Sequence, residues 1–144
     1  MRKRAQQIQL FGLALILLVL TGCGAASIAA PAAEAIIIEP TLPRNLSVAE
    51  VHALYTDPDV TVIDVREAWE YAEGHIPGAL LLPLDQLPAR LNEIPTDQMV
   101  IFVCRSDNRS GQATNYARQR GFTNVHNMLG GMIAWQAAGY DIDN

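Results

Sequence analysis

The chain has 144 residues, enough for one domain with a core of its own and too few for two of ordinary size. Half of the residues are hydrophobic and the formal net charge is −5. Outside its first four residues this acidic chain has no lysine and carries no basic patch for nucleic acid or anionic lipid.

The first residues set an expectation about location. Arg2-Lys3-Arg4 is a basic head, an uncharged apolar run covers 10–20, and Leu20-Thr21-Gly22-Cys23 follows at once. That order predicts a secretory signal over 1–22. The run is short for a membrane-spanning helix. Leu20-Thr21-Gly22-Cys23 resembles the lipobox of bacterial lipoproteins, which implies a lipidated Cys23, export, and a membrane anchor made of acyl chains. Cleavage there removes three basic residues and no acidic one, taking the net charge to −8. Residues 23–45 are Ala- and Pro-rich and read as lipidated Cys plus tether. The domain is then expected over 46–144.

Within it, strand-like and helix-like segments alternate. Ser47 three residues before Glu50 predicts a capping box opening a helix through about Tyr55. Asp57-Pro58-Asp59 is a turn. "VTVIDV" at 60–65 reads as a buried strand. A short helix is expected over 67–73, stopped by Gly74, and a short strand over 79–82. Leu84, Leu87 and Leu91 at helical spacing predict a helix over 84–94 with Pro88 in its first turn. "MVIFV" at 99–103 is a second buried strand, followed by a helix over 110–119, a strand over 124–127 and a helix over 131–138. The alternation predicts an α/β domain with a parallel sheet. Ligands in such sheets sit beyond the carboxyl ends of the strands.

Cys104 stands at such an end, directly before the helix-compatible run "RSDNRSGQA". The free amides and dipole of a following helix favour thiolate over thiol, and Arg105 and Arg109 add positive potential. Asp107 opposes it unless its carboxylate turns away or caps a loop amide. With Cys23 lipidated, Cys104 has no disulfide partner, and a lone exported cysteine is a candidate reactive thiol. The alternative is an inert buried cysteine at a strand end. The loop lacks the lysine and spacing of a nucleotide P-loop. His52 and His126 have no second ligand at metal spacing, so no metal site is expected. His75, between Gly74 and Pro77-Gly78, reads as part of a tight turn, and Trp69 and Trp135 as packing residues.

"DVREAWEYAEGHIPGALLLP" (64–83), "FVCRSDNRS" (102–110) and "GFTNVHNMLGGMIAWQAAGY" (121–140) together resemble a rhodanese-like domain. The resemblance implies a three-layer fold with a central parallel five-stranded sheet flanked by helices. It implies a sulfurtransferase needing no cofactor, in which Cys104 carries a sulfane sulfur as a persulfide. The donor would be a small sulfur compound such as thiosulfate, and the acceptor a thiol, cyanide or a protein. Loop residues Arg105, Ser106, Asp107, Asn108 and Arg109 would hold the sulfur, with Arg105 and Arg109 steering an anionic donor. Asp64, Arg66 and Ser110 would support the loop, and Gly130-Gly131 would let the backbone approach it closely. Phosphatases of related fold use Cys-x5-Arg, whereas Cys104 to Arg109 is Cys-x4-Arg, and Val103 stands where they have histidine; both features favour sulfur. Asp107 departs from the glycine often found in the family. A non-catalytic thiol module for binding or redox sensing is the alternative, and phosphatase or arsenate reductase activity a third.

Overall fold

The computed structural model describes residues 44–144. The signal, Cys23 and nearly all of the expected tether lie outside these described residues. The sheet contains β1 (Asn45–Leu46), β2 (Val60–Asp64), β3 (Leu80–Leu81), β4 (Met99–Val103) and β5 (Val125–Met128). Their order across the sheet is β1-β5-β4-β2-β3, and every pairing is parallel. The helices are α1 (Val48–Leu54), α2 (Ala68–Ala72), α3 (Asn108–Arg118) and α4 (Gly131–Ala137).

β4 shows why its sequence is apolar throughout. Val100 and Phe102 face a core shared with Ala113 and Ala117 of α3. Ile101 and Val103 face a second core with Val51 of α1 and Met132 and Trp135 of α4. A central parallel strand is covered on both faces, so polar alternation is lost. Its neighbour β2 keeps step: Val62 pairs with Ile101 and Ile63 with Phe102, each pair feeding one core. Full burial of each such side chain contributes about 1.5–3 kcal/mol.

Local signals account for several boundaries. Ser47 Oγ accepts from Glu50 N at 3.3 Å while Glu50 Oε2 accepts from Ser47 N at 2.7 Å, so the capping box forms as the sequence predicts. The expected helix over 84–94 does not form. Two 3₁₀ turns, Leu87–Ala89 and Leu91–Glu93, stand in its place, separated by Arg90 at φ −120° and ψ 23°. Pro88 has no N–H to donate to the turn before it, which favours the tighter, shorter form. Leu87 is still buried, with Leu84 and Leu91 packed beside it, so the spacing marked the right apolar residues on the wrong backbone. β1 has no periodic signal, being two residues long. Its Asn45, expected as the end of the tether, pairs with Asn127 at the sheet edge.

Candidate active site

Cys104 immediately follows β4, the middle strand, at the carboxyl end of the sheet. Only 1% of its surface is exposed. The helix after it begins earlier than expected, at Asn108 rather than Ser110. Asp107 makes this possible: at φ 84° it is the only non-glycine residue with positive φ among the described residues. That left-handed step turns the chain sharply into α3. Asn108 and Arg109, expected within the turn, therefore occupy the first turn of the helix.

No acceptor among the described residues takes the amides of residues 105–110. They comprise the turn and the free first amides of α3, a concentration of partial positive charge beside the sulfur. The Ser110 hydroxyl lies 3.4 Å from Cys104 Sγ and 3.1 Å from the Asp107 carbonyl, and its single proton serves one of them at a time.

The carboxylate of Asp107 accepts from Gly130 N at 3.1 Å. Two more bonds tie the same segments: Met132 N donates to Cys104 O at 2.8 Å and Ile133 N to Arg105 O at 3.1 Å. The first turn of α4 is thus strapped across the cysteine loop. A Cβ on Gly131 would stand 2.3 Å from Cys104 O, so only glycine allows this approach.

Asp64 and Arg66 form a buried unit. Arg66 Nε lies 2.9 Å from Asp64 Oδ2, Nη2 lies 2.7 Å from the same oxygen, and Nη2 also donates to Gly74 O at 2.7 Å. The unit joins the end of β2 to the segment after α2. His75 belongs to that segment: its ring stacks on Tyr71 at 3.6 Å, and its backbone pairs with Asp143. His52 stacks on Tyr140, and no group of metal-ligating side chains occurs among the described residues.

Arg109 is engaged differently from expectation. Its Nη1 lies 2.6 Å from Glu70 Oε2 and its Nη2 2.8 Å from Glu70 Oε1, a bidentate pair with side-chain exposures of 31% and 8%. Hydrogen bonds from Arg109 hold the Glu70 carboxyl at about 2, below its usual 4.5 and against the opposing effect of burial. Glu70 raises Arg109 in turn. Glu70 is a site residue the sequence did not signal, since its partner is 39 positions away. Arg105 is exposed and makes no ion pair among the described residues. The side chain of Asn108 accepts from Gln112 along the outside of α3, and Ser106 is exposed.

Beside the loop lies a cleft of about 720 Å³. Arg105, Arg109 and Glu70 line it, with Trp69, Met132 and Ile133 as its apolar wall. Of the two tryptophans expected as core or rim packing, Trp69 is 64% exposed at the cleft and Trp135 is fully buried.

The family model of the rhodanese-like domain matches residues 47–138. The chain belongs to the rhodanese-like family. It is 46% identical over 84 residues to a protein of Allochromatium vinosum named sulfurtransferase, covering 58% of this chain and 78% of that one. It is 35% identical over 95 residues to the thiosulfate sulfurtransferase GlpE of Pseudoalteromonas translucida, covering 66% and 90%. Among solved structures, a rhodanese-related protein from Thermoplasma volcanium superposes with a TM-score of 0.65 at 27% identity, over 70% of this chain and 98% of that one. The five-stranded parallel sheet expected for a rhodanese-like fold is therefore the one observed. Relatives named sulfurtransferase support a transferase at the level of the family.

Proposed function

We propose that this rhodanese-like protein transfers sulfane sulfur through a persulfide on Cys104. The observation carrying the reading is the set of amides over 105–110, without acceptors among the described residues, in the turn that directly follows a cysteine at a strand's carboxyl end. The Cys104 thiolate attacks the outer sulfur of a donor such as thiosulfate. A new S–S bond forms, the donor's S–S bond breaks, and sulfite leaves with the electron pair. The persulfide's negative terminal sulfur is the species that the amides of 105–110 stabilise. In the second step a thiolate or cyanide attacks that sulfur, and the electron pair of the cysteine–sulfur bond returns to Cys104. No cofactor enters either step.

The Cys-x4-Arg loop supports sulfur over phosphate. With α3 beginning at Asn108, the turn is tight, and a single sulfur asks for fewer surrounding donors than a tetrahedral oxyanion. Incubation with thiosulfate followed by mass measurement tests the proposal. A gain of one sulfur atom on Cys104, released as thiocyanate by cyanide and absent in Cys104→Ser, is expected. Absence of both signals in the unsubstituted protein would refute it and favour the thiol-binding alternative.

The proposal includes export and lipidation at Cys23, which rest on Leu20-Thr21-Gly22-Cys23 at the end of the apolar run. Replacing Cys23 by alanine should move the protein from the membrane fraction to the soluble one. Unchanged membrane association would refute lipid anchoring at this residue.

A further inference from the structure

We propose that Glu70 is a specificity-determining positioning residue: by holding Arg109 in a bidentate pair it lowers the positive charge of the cleft and directs the site toward singly charged sulfane donors with an apolar body, at the expense of the dianion thiosulfate. This rests on the Cys104 persulfide reading.

Three arginines line the cleft: Arg66, Arg105 and Arg109. Arg66 is bound by buried Asp64 and by Gly74 O, and Arg109 by Glu70. Glu70 is itself fixed from behind, because the Glu67 amide donates to its Oε2 at 3.1 Å. Among the described residues Arg105 alone of the three forms no ion pair and remains to meet an anion, while Glu67 and Glu73, whose carboxylates form none either, also line the cleft. A dianion gains little in such surroundings. The cleft is also far larger than thiosulfate needs. Its wall offers Trp69, 64% exposed, and Ile133, 50% exposed, as apolar surface that thiosulfate cannot use. A donor with one charge and an apolar body matches both features.

The test compares thiosulfate with benzenethiosulfonate. Each gives up one sulfane sulfur, with sulfite or benzenesulfinate as leaving group, and they differ by one negative charge and an aromatic ring. kcat/KM is measured for the full chain with cyanide as acceptor. The unsubstituted protein is expected to favour benzenethiosulfonate, and Trp69→Ala to erode that preference. Glu70→Gln keeps the size and an acceptor oxygen but removes the charge, uncovering Arg109. The thiosulfate-to-benzenethiosulfonate ratio should rise about fivefold, the scale of one extra unit charge acting on one further unit about 8 Å away across a partly wet site. The rise should appear in donor KM rather than kcat and shrink at high salt. Because it is a ratio within one preparation, partial loss of folded protein does not move it, and Glu70→Ala should shift it the same way. An unchanged ratio, or both constants falling in parallel, overturns the role given to Glu70. If the unsubstituted protein takes sulfur from neither donor, the persulfide reading itself falls and this one with it.

Discussion

Replacing Gly131 by alanine probes the strap between α4 and the cysteine loop directly. The new Cβ would lie 2.3 Å from Cys104 O and 2.6 Å from both Arg105 C and Arg105 O. All three neighbours are backbone atoms, so no side chain can swing aside. Relief requires moving the loop and the first turn of α4 apart by roughly 1 Å, a small-to-large change in a close-packed contact that costs about 1–3 kcal/mol. The movement also weakens the bonds from Met132 N to Cys104 O and from Ile133 N to Arg105 O, each with a net value of about 1 kcal/mol. Gly131 sits at φ 57°, where alanine adds roughly 1 kcal/mol of strain. A destabilisation of about 3 kcal/mol in urea titration is expected. Sulfur loading on Cys104 should slow on the order of a hundredfold in the fraction still folded, since the loop that carries the reacting cysteine is displaced. Stability within 0.5 kcal/mol of the parent, roughly the ordinary range for inconsequential substitutions, together with normal loading, would refute the close-approach reasoning.

Asp107 offers a contrast in which two substitutions separate. Asp107→Ala loses the bond to Gly130 N and keeps a side chain at positive φ, so about 2 kcal/mol of destabilisation is expected. Asp107→Gly loses the same bond but relieves the backbone, and thermal unfolding should place it between the parent and the alanine variant. The Glu70–Arg109 pair predicts a pH dependence. Glu70 is held at about 2 in the folded protein, so the pair's stabilisation is present above the unfolded value near 4.5 and lost as pH falls toward 2. The stability difference between the parent and Glu70→Gln, on the order of 1–2 kcal/mol at pH 6, should therefore shrink through that window in urea titrations. Removing the cation from the buried Arg66–Asp64 pair with Arg66→Ala leaves an unpaired buried carboxylate, and about 3–5 kcal/mol of lost stability is expected by calorimetry.

The strands were legible because their chemistry is local. "VTVID" and "MVIFV" declare burial on both faces, and Ser47 with Glu50 declares a helix start. Cys104 could be placed at a strand's carboxyl end on the same grounds. The helix expected over 84–94 failed because helical spacing of leucines reports which residues are buried, not which hydrogen-bond pattern carries them. β1 was invisible as a pair of residues, although the family resemblance already implied a fifth strand. Glu70 was invisible for a different reason. Nothing local distinguishes it from Glu67 or Glu73, and only the fold brings it to Arg109.

The charges around the sulfur are consequently arranged otherwise than the letters of the loop suggest. Arg109 was expected to supply positive potential, and Asp107 to oppose it unless its carboxylate turned away or capped a loop amide. Each is engaged by a partner from another element, Arg109 by the Glu70 carboxylate and Asp107 by the Gly130 amide. The two side-chain contributions are both diminished, which leaves the acceptor-free backbone amides of residues 105–110 and Arg105, which forms no ion pair among the described residues. Every non-proline residue carries such an amide, so the chain's path matters more to this site than the identity of the residues along it. Two local features set that path: the left-handed turn at Asp107 and the absence of a side chain at Gly131. The same dependence on path explains how an aspartate can stand at this left-handed step: its bond to Gly130 N offsets the strain of the turn.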